Sequence, residues 1–581
     1  MAKSSSSLRA LYIVCLALAG GVYGAPPTTP SGTPTRAPQR ISPGFQRLGV
    51  SQQSIPYEFT MALKGAQLDQ LDSRMVQIAQ SGGEWLTTEE LTQYTAPAPS
   101  SIADIRSLLT SHGIPEDAIS FSKLQDFVTV QATVDQVNKI FATQLVDWTR
   151  PTDGQTVRRA KEYTVPAAIA EHVIDVSPIA FFAPPPSTVH EPRQLDAISM
   201  ENEKRAAPGS CNLQTVTPEC RRDLYGLSSY TPKPVAGAID ISVLGLNGDA
   251  ASQADLTTFL ETYRSDASGY QLPIAAANGA QPDQNNPSAE SNLDVQTTVS
   301  ATYPLVNQFV SFRQSTADGF AEGMQYYIDL ADSDRPGVVS ISYAANEIDY
   351  SESQAQAMCA VAQKLTALGT TVVVGSGDNG VDTVQGYTAL SCADSFFPTY
   401  PSGCPYILTT SATQDFSPEF AVNTTISRFW TGSGFSNLFP APSYQSAYTS
   451  AYVDSLGSRS AGKYNKAGRG IPDVSAQGSN YPISFNGQFV VAGGTSAATP
   501  LMAAVLALIN DARRAVGKGR VGYVHPTIYG SQGAFTDIIS GAAFGCPAPD
   551  EDTGLYTSVG WDAVTGLGTP IFSGLRSLFG A

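Results

Sequence analysis

Apolar positions recur along the chain in two regimes. Between Pro56 and Phe182 the periods are short and mixed. Apolar and polar residues alternate over Tyr57–Leu63 and Phe127–Ala132, which predicts strands. Spacings of three and four over Leu68–Ile78, Ile102–Leu109 and Val134–Phe141 predict helices, and a further strand is expected around Gln144–Trp148. These segments describe a compact α+β unit. From Ala236 onward the apolar runs are unbroken: Ala236–Leu246 before a helix through Thr257–Tyr263, Val338–Ser342 before a helix over Ala355–Leu368, then Thr370–Gly375 and Tyr406–Thr410. Strands apolar on both faces and separated by helices predict a mainly parallel, doubly wound α/β sheet. In such sheets the working residues gather at the carboxyl ends of the strands.

The most strongly patterned stretch is Gly493-Gly-Thr-Ser-Ala-Ala-Thr-Pro500, which follows a strand-like Gln488–Ala492 and runs into the apolar Leu501–Ile509. This predicts a sharp turn with Ser496 at a helix N-terminus, where free N–H groups favour developing negative charge and small neighbours admit a substrate backbone. A serine there also serves as an ordinary helix cap, so its reading as a nucleophile depends on partners.

Asn286-Pro287 predicts a capped helix start, which sets Glu290 and Asp294 at i and i+4 on one face. The pair reads either as a surface accident or as a buried carboxyl couple sharing a proton. Thr370–Gly375 ends in Ser-Gly-Asp-Asn-Gly, presenting Asp378 as an active-site acid or as a turn former. The chain has four histidines; only His525 follows residue 206, so a Ser-His-Asp arrangement would depend on that one side chain. Carboxylate chemistry fits the residues better: Glu290 as base, Asp294 orienting it, and a neutral Asp378 donating to an oxyanion.

Composition narrows the setting. A net charge of −17 over 581 residues argues against nucleic acid and anionic membrane as partners. Lys3 and Arg9 precede apolar Ala10–Val22 and a small-residue exit, the layout of a signal peptide ending near Gly24. The expected location is therefore secreted and extracellular, and a soluble monomer is expected. Cys15 leaves with that segment. The remaining six cysteines suit a disulfide framework, with Cys211 and Cys220 a fair pair. Asn423-Thr-Thr is a glycosylation sequon. A Pro-rich run at Ala183–Thr188 leads to dibasic Lys204-Arg205, so residues 25–205 read as a prosegment, folded over about 56–182, before a domain at 206–581.

Taken together, "ESNLDVQ" from Glu290, "SGDNG" at 376–380 and "GGTSAATP" at 493–500 resemble the sedolisin family of serine-carboxyl peptidases, especially its fungal tripeptidyl-peptidase branch. "VTPECRRDLY" at 216–225, "SISY" at 340–343, "GFSNLFPAPSYQ" at 434–445, "RGIPDVSAQG" at 469–478 and "GWDAVTGLGTP" at 560–570 extend the likeness over most of residues 56–581. The resemblance implies a subtilisin-like catalytic fold behind an α+β, ferredoxin-like prodomain that inhibits it. It also implies Ser496 as nucleophile, Glu290 as base, Asp294 beside it and Asp378 at the oxyanion. Its substrates would be unfolded proteins and peptides, cut to tripeptides from free N-termini; endopeptidase action and an inactive peptide-binding relative are the alternatives. It further implies one structural Ca2+ held by the side chains of Asp537 and Asp562 and the backbone oxygens of Ile538, Ser558 and Gly560, hard ligands suited to that ion. Three departures stand out: Gly493 replaces the serine that opens the family's Ser-Gly-Thr-Ser motif, Asn379 replaces a serine, and Ala344-Ala-Asn-Glu347 stands where relatives carry Gly-Asp-Asp-Glu.

Overall fold

A computed structural model describes residues 34–38, 40–150, 153–184, 186–187, 193–194, 208–314, 318–384, 390–531, 533–546 and 552–581. The expected signal peptide, His190 and Lys204-Arg205 lie outside these residues.

The first unit is the expected α+β fold. Strands Pro56–Leu63, Ile119–Phe121, Phe127–Thr133 and Val173–Ser177 form one antiparallel sheet. Numbered along the chain, their order across it is 4-1-3-2, and helices join the first strand to the second and the third to the fourth, which is the ferredoxin-like βαββαβ arrangement. The alternation is visible in burial: Tyr57, Phe59 and Met61 turn inward from one strand, Val128, Val130 and Ala132 from its neighbour. Helix Leu68–Ser81 buries Leu71, Met75 and Ile78, one face at helical spacing. Strand Val146–Thr149 lies within a residue or two of its expected place, in a separate three-stranded sheet. Helix Thr88–Thr95, closed by a Thr87/Glu90 capping box, and strands Thr156–Arg159 and Val173–Ser177 were not legible from periodicity.

The larger unit is built on an eight-stranded sheet. Across it run Ile274–Ala277, Asn307–Phe312, Ile241–Gly245, Val338–Ile341, Thr371–Gly375 and Leu408–Gln414, all parallel. Beside Leu408–Gln414 lie parallel Val474–Gln477 and antiparallel Phe420–Ala421. Helix Thr495–Ala515 packs on this sheet and against helix Ala289–Thr302, with every residue from Thr495 to Arg513 buried. It is the one described helix long and apolar enough to cross a membrane, and its apolar stretch is enclosed within the protein. Cys211–Cys220, Cys359–Cys404 and Cys392–Cys546 form the three disulfides.

The two units share a core. Leu71, Met75, Leu86 and Phe181 of the first pack with Met358, Leu365 and Tyr523 of the second. Polar ties cross the same boundary: Trp85 Nε1 donates to the Arg520 carbonyl at 2.8 Å, Ser353 Oγ to Asp175 at 2.7 Å, and Lys364 forms a buried ion pair with Asp126.

Candidate active site

Three neighbouring parallel strands deliver the site to one edge of the sheet, and the serine helix begins above them. That helix starts at Thr495, so its capping position is Gly494 (φ 134°), which makes no side-chain cap. Ser496 is the second helical residue, which removes the reading of Ser496 as the cap. The Thr495 amide is instead taken by Asp378 Oδ1 at 2.8 Å, and the Thr495 hydroxyl donates to the same oxygen at 2.7 Å. Asp378 is thus the acid that stops the helix end. A Cβ on residue 494 would sit 2.6 Å from Asp378 Oδ2, and φ there is one that L side chains rarely adopt, so glycine is required for this approach.

Glu290 and Asp294 lie on helix Ala289–Thr302, which packs against the serine helix. The helix is capped by Ser288, whose hydroxyl accepts from the Ser291 amide; Asn286 and Pro287 stand outside it, so it begins two residues later than expected. A hydroxyl already in extended backbone one residue before the helix competes directly for that amide. The i, i+4 face survives the shift, and it is buried: Glu290 is 7% exposed, Asp294 1%, Asp378 3% and Ser496 2%. The surface-accident reading of the pair is therefore excluded.

Burial first, and the charge of Asp294 second, push the Glu290 carboxyl well above the ordinary range; burial does the same to Asp294. The Ser496 hydroxyl is the neighbour that favours Glu290's charged form, yet neither Ser496 Oγ nor Glu290 Oε1 has a closed hydrogen bond. The two groups are within influence of each other but not locked, as acid–base partners often are without substrate. Asp294 is held by Ser342, whose Oγ donates to Oδ1 at 2.8 Å.

Ser342 and one further residue of this edge, Asp249, escaped sequence reasoning. Asp249, in the loop after strand Ile241–Gly245, accepts from the Tyr343 hydroxyl at 2.7 Å and adds its charge to the field on Glu290. Burial raises its own pKa. Its place at the carboxyl end of a buried strand, like that of Asp378, was the available signal; its partner is 94 residues away. His525 is not near the serine. It is 1% exposed, with Nε2 3.1 Å from the Ile407 carbonyl and 3.4 Å from Asp473, among the rings of Tyr444 and Tyr523.

The five residues expected to hold calcium also converge. Gly560 N donates to Asp537 Oδ2 at 2.8 Å, Ser558 N to Asp562 Oδ2 at 2.9 Å, and Thr565 Oγ1 bridges Asp562 and the Ile538 carbonyl. No described ion pair involves Asp562, and burial pushes its carboxyl up to about 7. A buried acid with no described ion pair, joined through Thr565 to the Ile538 carbonyl, offers oxygen ligands of the kind a hard cation takes. No three His, Cys, Asp or Glu side chains are placed to hold a metal ion together among the described residues, so a metal here would rest largely on carbonyl oxygens.

The peptide leading out of the first unit runs along the same edge. Ser187 exchanges two backbone hydrogen bonds with Ala344, at 3.1 and 3.2 Å, and Asn247 Nδ2 donates to the Pro186 carbonyl at 3.0 Å. Further on, Arg193 and Gln194 pair antiparallel with Val491 and Val490, in the strand that leads to Ser496.

Residues 43–182 match the Pro-kumamolisin activation domain, and residues 307–520 match the subtilase family. Tripeptidyl-peptidase SED2 of Arthroderma otae is 30% identical over 98% of this chain and 99% of its own length. A probable tripeptidyl-peptidase SED3 of Arthroderma benhamiae is 31% identical over 84% of this chain and 85% of its own. A Pseudomonas sedolisin structure covers 63% of this chain and 98% of that chain at 20% identity, with a TM-score of 0.49. An activation domain joined to a subtilisin-like parallel sheet defines a serine-type peptidase made as a precursor. The chain belongs to the sedolisin family of serine-carboxyl peptidases and is a homologue of its tripeptidyl-peptidases.

Proposed function

We propose that the protein is a secreted, acid-acting peptidase that cuts through an acyl-enzyme on Ser496 and releases tripeptides from free N-termini. The observation that carries the reading is the buried meeting of Ser496 with Glu290, Asp294 and Asp378, with His525 elsewhere. Ser496 Oγ attacks the peptide carbonyl carbon while its proton passes to Glu290, with Asp294 holding the couple's other proton. Asp378 Oδ1 is occupied as an acceptor, so a proton on the acid belongs to Oδ2, from which it donates to the oxyanion. Glu290 then protonates the leaving amine, and water repeats the sequence on the acyl-enzyme.

The homologues named tripeptidyl-peptidases support the exopeptidase reading, and their kind, with three disulfides, supports an extracellular location. The first unit acts as the inhibitor, since its outgoing peptide pairs with Ala344 on one side and with Val490 and Val491 on the other. The same path favours endopeptidase action as the second reading, because a continuous chain is accommodated along this edge. One experiment tests both. The activated protein and its Ser496→Ala variant are incubated near pH 4 with one peptide carrying a free or an acetylated N-terminus, and products are weighed by mass spectrometry. Successive tripeptides from the free form alone are expected; equal internal cleavage of both forms makes it an endopeptidase, and equal activity of Ser496→Ala removes the nucleophile assignment.

Asp537, Ile538, Ser558, Gly560 and Asp562 are proposed to hold one Ca2+, whose part is to brace these loops rather than to take part in the chemistry.

A further inference from the structure

The Ser-Ile-Ser-Tyr stretch at 340–343 has no part in the chemistry above, yet its second serine lies between the carboxyl couple and the serine helix. Ser342 follows strand Val338–Ile341 and is 2% exposed. Its hydroxyl donates to Asp294 Oδ1 at 2.8 Å and also lies 3.5 Å from the backbone carbonyl of Ser496. That carbonyl is unusual. In an α-helix it would accept from the amide of residue 500, and residue 500 is proline, inside the helix and without an N–H. The proline therefore leaves an acceptor beside the nucleophile without its usual i+4 amide donor.

A hydroxyl has one proton to give. While Ser342 gives it to Asp294 Oδ1, that oxygen is filled as an acceptor, and a proton carried by Asp294 must sit on Oδ2. If Asp294 instead carried its proton on Oδ1, it would donate to Ser342 Oγ, and Ser342 would turn its own proton to the Ser496 carbonyl. The 2.8 Å bond, against 3.5 Å for the alternative, makes the first arrangement the resting one.

We propose that Ser342 is a positioning residue: set between Asp294 and the proline-freed carbonyl of Ser496, it keeps the proton of the Glu290–Asp294 couple on the Oδ2 oxygen of Asp294. The inference rests on the reading of Glu290 as base. For Glu290 to accept the Ser496 proton it must be the ionised member, which requires its partner to hold the couple's proton in a fixed place. The groups acting on the couple are Asp378 from the turn after Thr371–Gly375, Asp249 from the loop after Ile241–Gly245, and Tyr343 beside Asp249. None supplies a positive charge, and the Ser342 hydroxyl is the side-chain donor that occupies Asp294 Oδ1, leaving Oδ2 as the oxygen on which the couple's proton sits.

The test uses the activated enzyme and three variants, assayed for kcat, KM and pH profile. Ser342→Ala is expected to lower kcat at least about 10-fold with KM changed less than about 3-fold, the size of effect proper to proton placement. Without a donor on Oδ1, protonated Asp294 is a weaker donor to its partner carboxylate, so the Glu290 anion is harder to form and the acidic limb of kcat/KM should move to higher pH. Ser342→Thr keeps the hydroxyl and should restore most of kcat. Pro500→Ala, placed in the Ser342→Ala background, returns a backbone donor to the Ser496 carbonyl but gives Asp294 nothing. No rescue is expected. Rescue by Pro500→Ala would mean that Ser342 works by steadying the helix, and wild-type kcat with an unmoved pH limb in Ser342→Ala would mean that it does nothing; either result overturns the proposal. Ser496→Ala run alongside separates the two failures: an inactive Ser496→Ala beside a wild-type Ser342→Ala sinks this inference alone, whereas an active Ser496→Ala sinks the mechanism beneath it.

Discussion

The Glu290 and Asp294 carboxyls beside Ser496 are ordinary groups made unusual by burial. Both members of the couple are pushed upward, so their protonated forms persist to higher pH than free carboxyls and are lost as pH rises through the displaced range. One proton shared by the couple is the working state. Full protonation at low pH removes the base and full ionisation at high pH removes the shared proton, so activity should be bell-shaped with its maximum in acid and little left near pH 8, read as kcat/KM across pH. Glu290→Gln is expected to lower kcat about 10²–10⁴-fold while leaving binding nearly intact. Asp378→Ala should cost about 10²–10³-fold, and Asp378→Asn, which keeps a donor that pH does not remove, should lose less. Ser496, Glu290, Asp294 and Asp378 were legible because each sits in a short local pattern. Ser342 and Asp249 were not, because what gives each its part is a partner 48 or 94 positions away.

Elements with enough residues to show a period were read within a few positions: Leu68–Ser81, Gln253–Tyr263, Thr371–Gly375 and the long serine helix. The failures have separate causes. Ile119–Phe121 is only three residues long, too short to alternate visibly. Asn307–Phe312 is paired on both sides within the sheet, but its Asn307 and Ser311 are buried polar residues, which breaks the apolar run that marks such strands. At Asn286-Pro287 two cap signals lay two residues apart, and the serine won. The loops that carry Asp537 and Asp562 were the least legible, since they are held by backbone groups that no composition reveals. If the ion binds only the folded protein, its removal lowers stability by mass action, by about 2.7 kcal/mol where it had been present at a hundred times its Kd. Chelation should therefore lower the Tm of the wild type by several degrees and leave that of Asp562→Ala, already lower, unchanged, as followed by differential scanning calorimetry.

The whole molecule carries the same bias toward acid as its site. Asp318, Glu347 and Glu419 are enclosed away from the Glu290–Asp294 couple, and burial raises each to about 7. Their partners are neutral donors: the Tyr400 hydroxyl for Asp318, the Ser436 hydroxyl and the Asn437 amide for Glu347, and Tyr225, Thr413 and Thr569 for Glu419. No described ion pair supplies any of the three with a cation. An acid whose folded pKa lies above its unfolded value binds its proton more tightly when folded. The stability it contributes is complete below the unfolded pKa, near 4, and is lost as pH rises through about 7. Each displacement is worth on the order of 3 kcal/mol, so three together rival the net stability of a typical domain. Thermal unfolding of Ser496→Ala, which cannot digest itself, should therefore give a Tm that falls steadily from pH 4 to pH 7.5. Glu419→Gln, which keeps the shape and an acceptor without a titrating proton, should flatten part of that fall at some cost at pH 4. A Tm that rose toward neutrality would mean that these carboxyls are ionised in the folded protein and paired with cations after all.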